Sequence, residues 1–63
     1  MQSTFPLPKG SALRWASQQT RYLRDEGFGD AVLHAVQPLF TRYAQTGEER
    51  HLEQAHLLLR GDR

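Results

Sequence analysis

Cysteine is missing altogether from this chain of 63 residues, which excludes disulfides and thiolate metal sites. Apolar runs are short, and none approaches the roughly 20 residues of a membrane span. β-Branched residues are few and nowhere alternate with polar ones, so strands are not expected. Acid is absent from residues 1–24, which hold Lys9, Arg14, Arg21 and Arg24. The start of the chain lacks the basic segment, apolar stretch and cleavage-like site of a secretory leader. A cytoplasmic location is therefore expected, and the initial Met without tag residues leads to the expectation of a whole gene product, bacterial or phage-like in its economy.

What remains is small and nearly neutral. A chain this short buries only about 60% of the surface its unfolded form exposes, so dimerisation or a bound partner is expected to supplement its core. A net charge of +1 does not declare a nucleic-acid or membrane partner. The distribution is uneven, however: residues 25–63 hold four arginines against seven acids, a net −3. Such asymmetry marks either a basic interaction surface or a dipolar chain that pairs with a copy of itself.

Residues 1–10 read as an extended arm ahead of one small helical domain over 11–63. Pro6 and Pro8 push Phe5 and Leu7 towards extended geometry, and those two side chains are the arm's expected anchors in a groove. Ser11 has the chemistry of an N-cap, which predicts a first helix over 12–26. On its wheel Trp15, Tyr22, Gln19, Ala12, Leu23, Ala16, Thr20 and Leu13 fill one half, with Arg14, Arg21 and Arg24 on the other. The middle of that arc is Ala and Gln, so this helix is expected to lie close on one neighbour and present Trp15 and Tyr22 sideways. Gly27 is its expected left-handed stop, with Phe28 placed as the apolar contact of a Schellman motif.

A second helix is predicted over 31–45, capped by Asp30. Leu39, Val32, Tyr43, Val36, Phe40 and Leu33 share a sector of about 120°, the strongest periodic signal in the chain. Pro38 falls on its polar side and is expected to bend it, the alternative being two short helices meeting at Gln37–Pro38. Thr46 and Glu49 have the spacing of a capping box, which predicts a third helix over 48–60 stopped by Gly61. Leu58, His51, Ala55, Leu59 and Leu52 line its apolar face, and Leu57 points away, exposed unless something covers it. The expected fold is all-α, a three-helix bundle with an extended N-terminal arm.

Residues 42–60, RYAQTGEERHLEQAHLLLR, resemble a stretch of divergent tetratricopeptide-like helical repeats. There an Arg-Tyr ends one helix, Thr-Gly makes the turn, and the next helix opens with acids before spaced leucines and an alanine. Here those residues are Arg42, Tyr43, Thr46, Gly47, Leu52, Ala55, Leu58, Leu59 and Arg60. The resemblance implies antiparallel pairing of the last two helices, and protein binding.

Chemistry has few carriers. His51 and His56 are five apart, about 140° around a helix, so they do not share an ion as an i, i+4 pair would. Gly27–Phe28–Gly29 follows no strand and is a turn rather than a phosphate loop. The paired acids Asp25–Glu26 and Glu48–Glu49 sit at helix ends, where capping accounts for them. No catalytic residue, metal or cofactor is expected, nor any small-molecule substrate, and the chain is read as a non-enzyme.

One constellation remains. Arg14–Trp15 recurs seven residues on as Arg21–Tyr22, placing two arginines and two aromatics in adjacent stripes, and these are the residue types enriched at interface hot spots. The bland alternative is that Trp15 and Tyr22 are core groups with arginines lying beside them. The expected function is a small protein-protein interaction module, adaptor or regulator, self-associating as a homodimer, with Arg14, Trp15, Arg21, Tyr22 and Leu57 as its surface and Phe5 and Leu7 as arm contacts. The rival is a small nucleic-acid-associated regulator, antitoxin-like or phage-control-like, using the basic first helix. The acids that open the third helix make it unfit to enter a major groove.

Overall fold

Two glycines in the left-handed region divide the chain. Gly27 has φ 109° and Gly47 φ 77°, values that carry no Cβ penalty at glycine alone. Between and beside them run α1 (Lys9–Glu26), α2 (Asp30–Thr46) and α3 (Glu49–Asp62). The structure is a computed structural model that describes residues 5–62, and the first four residues of the expected arm lie outside that range. Among the described residues there is no strand, and the three helices form the all-α bundle read from the sequence.

The first turn closes as its residues predict. The Phe28 amide donates to the Leu23 carbonyl at 3.2 Å and the Gly27 amide to Arg24 at 3.0 Å, the two bonds of a Schellman motif. Phe28 packs against the core cluster.

The other ends differ from expectation. α1 begins at Lys9 rather than 12, with Pro8 as N-cap, and the Ala12 amide donates to the Pro8 carbonyl at 2.8 Å. Proline needs no helical partner for a donor that it lacks, so the second proline of the arm ends it and Ser11 falls inside the first turn. Asp30 does not cap α2. It is the first helical residue after Gly29, and its carboxylate meets the Arg24 guanidinium at 3.2 Å. Thr46 does not form the capping box either. It ends α2, its hydroxyl donating to the Arg42 carbonyl at 2.8 Å and accepting from the Glu48 amide at 3.2 Å. α3 then starts at Glu49, one residue late, and continues past 60. Gly61 lies within it, because nothing there demands a left-handed residue and a glycine in a terminal turn costs about 1 kcal/mol at most. α2 runs unbroken through Pro38, which removes the two-helix alternative. The ring is exposed, so the carbonyl deprived of its partner lies on the wet side.

The core is made of small groups. Ala12, Ala16, Leu33, Val36, Phe40, Ala44, Ala55 and Leu59 are buried, and Val36 is the largest side chain with essentially no exposure. Alanines Ala12 and Ala16 are the buried residues of α1, which lets it lie close on α2. Both outer helices pack on α2, yet no Cα of α1 comes within 8 Å of a Cα of α3. The central helix therefore separates two arms of the bundle and floors the space between them. No helix among the described residues is long and apolar enough to cross a membrane.

Candidate functional site

The space between α1 and α3 is a groove of about 360 Å³. Its floor is Phe40 and Tyr43 of α2. Trp15, Gln19, Tyr22 and Leu23 form one wall, and Leu52, His56 and Leu59 the other. Trp15, Gln19 and Tyr22 are spaced i, i+4, i+7, and Leu52, His56 and Leu59 likewise, so each wall is one helical stripe.

One end of the groove is filled by aromatic rings. Trp15 is half-buried and meets Phe40 edge-on at 5.9 Å between centroids, and Tyr43 at 5.8 Å. Phe5 completes the cluster, 5.3 Å from Trp15 in a T-shaped contact and 4.9 Å from Tyr43. These separations and tilts are the favoured ones for aromatic pairs. The Leu7 amide donates to the Ala44 carbonyl at 2.7 Å, an acceptor that the end of α2 would otherwise leave without a helical donor. Phe5 and Leu7 thus hold the arm against its own helices.

The other end is open. Tyr22 there is 65% exposed, and Leu57, outside the groove, is 60% exposed. Trp15 and Tyr22, paired in the sequence reading, occupy different surroundings. Leu58 is also more open than the helical wheel places it, at 43%, because α3 rests on α2 mainly through Ala55 and Leu59.

Arg14 and Arg21 lie outside the groove. With Ser17, Gln18, Thr20 and Arg24 they line a separate shallow cleft on the back of α1. The expected adjacent stripes are therefore real, but they look in different directions. Arg24 is drawn towards Asp30, which leaves Arg14 and Arg21 as the cations of that cleft without an ion-pair partner among the described residues.

Leu57 belongs to a third depression of about 650 Å³, lined by Phe28, Glu53, His56, Leu57, Leu59 and Arg60. It adjoins the groove, since His56 and Leu59 border both. Phe28, Glu53, His56 and Arg60 were not among the candidate residues of the sequence. The signal was present in the i, i+3, i+4, i+7 spacing of Glu53, His56, Leu57 and Arg60, which a search for apolar faces alone passes over. Among the described residues no three His, Asp or Glu side chains gather as a metal site.

At the start of α3 the Glu48 carboxylate accepts from the Arg50 guanidinium at 3.0 Å and stands 3.4 Å from His51. This ties the α2–α3 turn to the first turn of α3 and consumes one of the acids. No protein-family model, curated protein or solved structure matches this chain.

Proposed function

We propose that this chain is a small cytoplasmic protein-binding module or adaptor whose α1–α3 groove receives an apolar-faced helix of a partner protein. The observation that carries this reading is Tyr22, a large aromatic left 65% exposed at the open end of a groove walled by Leu23, Leu52 and Leu59. Tyrosines at the edge of an apolar slot are typical interface anchors, and a helix in a groove is a recurrent way to cover one. The backbones of α1 and α3 stand far enough apart for side chains of a third element to enter. The resemblance of residues 42–60 to tetratricopeptide-like repeats implies protein binding and agrees with this reading.

Trp15 is the chain's one tryptophan and lines the groove, so its emission reports occupancy. A partner captured by the wild type and lost by at least about tenfold with Tyr22→Ser, at unchanged helix content, supports the reading. Equal capture by both proteins overturns it.

A second reading rests on the cleft of Arg14, Arg21 and Arg24 with Ser17, Gln18 and Thr20, which offers cations and hydroxyls to a phosphate backbone. Against it stand Asp25 and Glu26 on the same helix and the pairing of Arg24 with Asp30. Binding to duplex DNA that falls steeply with salt favours this reading, and no binding at low salt removes it.

A further inference from the structure

We infer that α3 pairs with α3 of a second copy of this chain, antiparallel about a two-fold axis that passes between His56 and Leu57. The inference rests on the reading of the chain as a protein-binding module and places self-association on the face of α3 that adjoins the groove and shares His56 with it.

Glu53, His56, Leu57 and Arg60 fall at i, i+3, i+4 and i+7, one stripe along the helix. Leu57 is 60% exposed in that stripe, and Phe28 flanks it across the 650 Å³ depression. The ends of the stripe carry opposite charge. Glu53 and Arg60 are about 10.5 Å apart along the axis, too far to meet each other, and neither makes an ion pair among the described residues. The helix dipole accounts for an acid at Glu49 and a base at Arg60. It does not account for Glu53, which is past the first turn where that effect acts.

An isologous contact must be self-complementary, each residue i facing a residue j that faces i in return. With the axis between His56 and Leu57, Glu53 of each copy faces Arg60 of the other, and at the centre Leu57 of each copy lies against His56 of the other. A foreign partner would have to carry the opposite order of charges by separate design. A second copy supplies it by symmetry. The patch is narrow: α3 has 14 residues and is about 21 Å long and about 10 Å wide, so one face of it offers roughly 200 Å², well under the ~800 Å² per partner of a tight interface. Association is accordingly reversible and dependent on concentration.

The test is sedimentation over a concentration series for four samples: wild type, Glu53→Arg, Arg60→Glu, and an equal mixture of the two variants. Wild type associates as a dimer. Each variant alone brings like charges together at both ends and weakens association by about tenfold or more. The mixture restores it, because a chain with arginine at both ends of the stripe then faces a chain with glutamate at both. Wild type that stays monomeric, variants that associate as the wild type does, a mixture no better than its parts, or open-ended assembly each overturn the inference. Loss of a foreign partner by these variants from a monomeric wild type reassigns the face to that partner and also overturns it. Both positions are exposed, and circular dichroism checks the fold. Should either variant lose helix, Glu53→Gln and Arg60→Gln replace the reversals, and unchanged association in both is the overturning result. The groove reading is scored separately, by Tyr22→Ser.

Discussion

Trp15 and Tyr22 stand two turns apart on one face of α1, yet Trp15 is packed among Phe5, Phe40 and Tyr43 while Tyr22 is 65% exposed. One aromatic holds the arm and two helices together, and the other is offered outward. Replacement by alanine should separate the two roles. Trp15→Ala should lower unfolding free energy by about 2–4 kcal/mol, near the lower end for buried aromatics because the ring is half-exposed. Tyr22→Ala should change it by less than about 0.5 kcal/mol. Urea unfolding followed by circular dichroism measures both, and comparable losses would make Tyr22 a core residue.

Glycines two positions apart should respond with opposite sign. Gly27 at φ 109° has open space where a Cβ would go, so Gly27→Ala suffers from backbone conformation alone, about 1–2 kcal/mol. Gly29 has the extended geometry of an N-cap, and no side chain accepts from the first turn of α2. Gly29→Ser should add a few tenths of a kcal/mol, since serine caps slightly better than glycine. A gain from Gly27→Ala would contradict the left-handed turn.

Pro38 should be a net cost to stability. It lies within α2, exposed, and interior prolines disfavour a helix by about 3 kcal/mol relative to alanine. Part of that is returned because proline also stiffens the unfolded chain. Pro38→Ala should therefore raise stability by about 1–2 kcal/mol. A fall in the thermal midpoint would mean that the ring makes a needed contact in the shallow depression that it lines together with Leu13 of α1.

The ion pair between Arg24 and Asp30 bridges α1 and α2 at 3.2 Å with both side chains largely exposed. A double-mutant cycle on Arg24→Ala and Asp30→Ala should give a coupling under about 0.5 kcal/mol that declines with salt. A larger, salt-insensitive coupling would show that the pair organises the turn.

The parts of the fold legible in sequence were those written redundantly. The apolar sector of α2 recurs over about three turns, and Gly27 with Phe28 is a stop signal confirmed by two bonds. The small residues Ala12 and Ala16 announced the close approach of α1. Helix starts were less legible, because Ser11, Asp30 and Thr46 each have the right chemistry and a neighbouring residue took the position. Pro8 pre-empted Ser11, Gly29 took the cap that Asp30 was read for, and Thr46 was absorbed into the end of α2. The groove could not be read at all from single helices. It depends on α1 and α3 both choosing α2 over each other, a comparison of three packings whose small apolar faces look equally suitable. Trp15 and Tyr22 shared a stripe, and only the rings of Phe5, Phe40 and Tyr43 told them apart.

Because every backbone approach between helices runs through α2, the outer helices are coupled mainly through a shared neighbour. Either can detach while the other stays docked, so opening free energies should rise from the outside inwards as in a short linear array. Amides in the middle of α2 should exchange with solvent last. Those of α3, whose buried side chains are Ala55 and Leu59, should exchange early and slow down when a partner is bound. On the proposed function, part of the binding free energy goes into ordering the last helix.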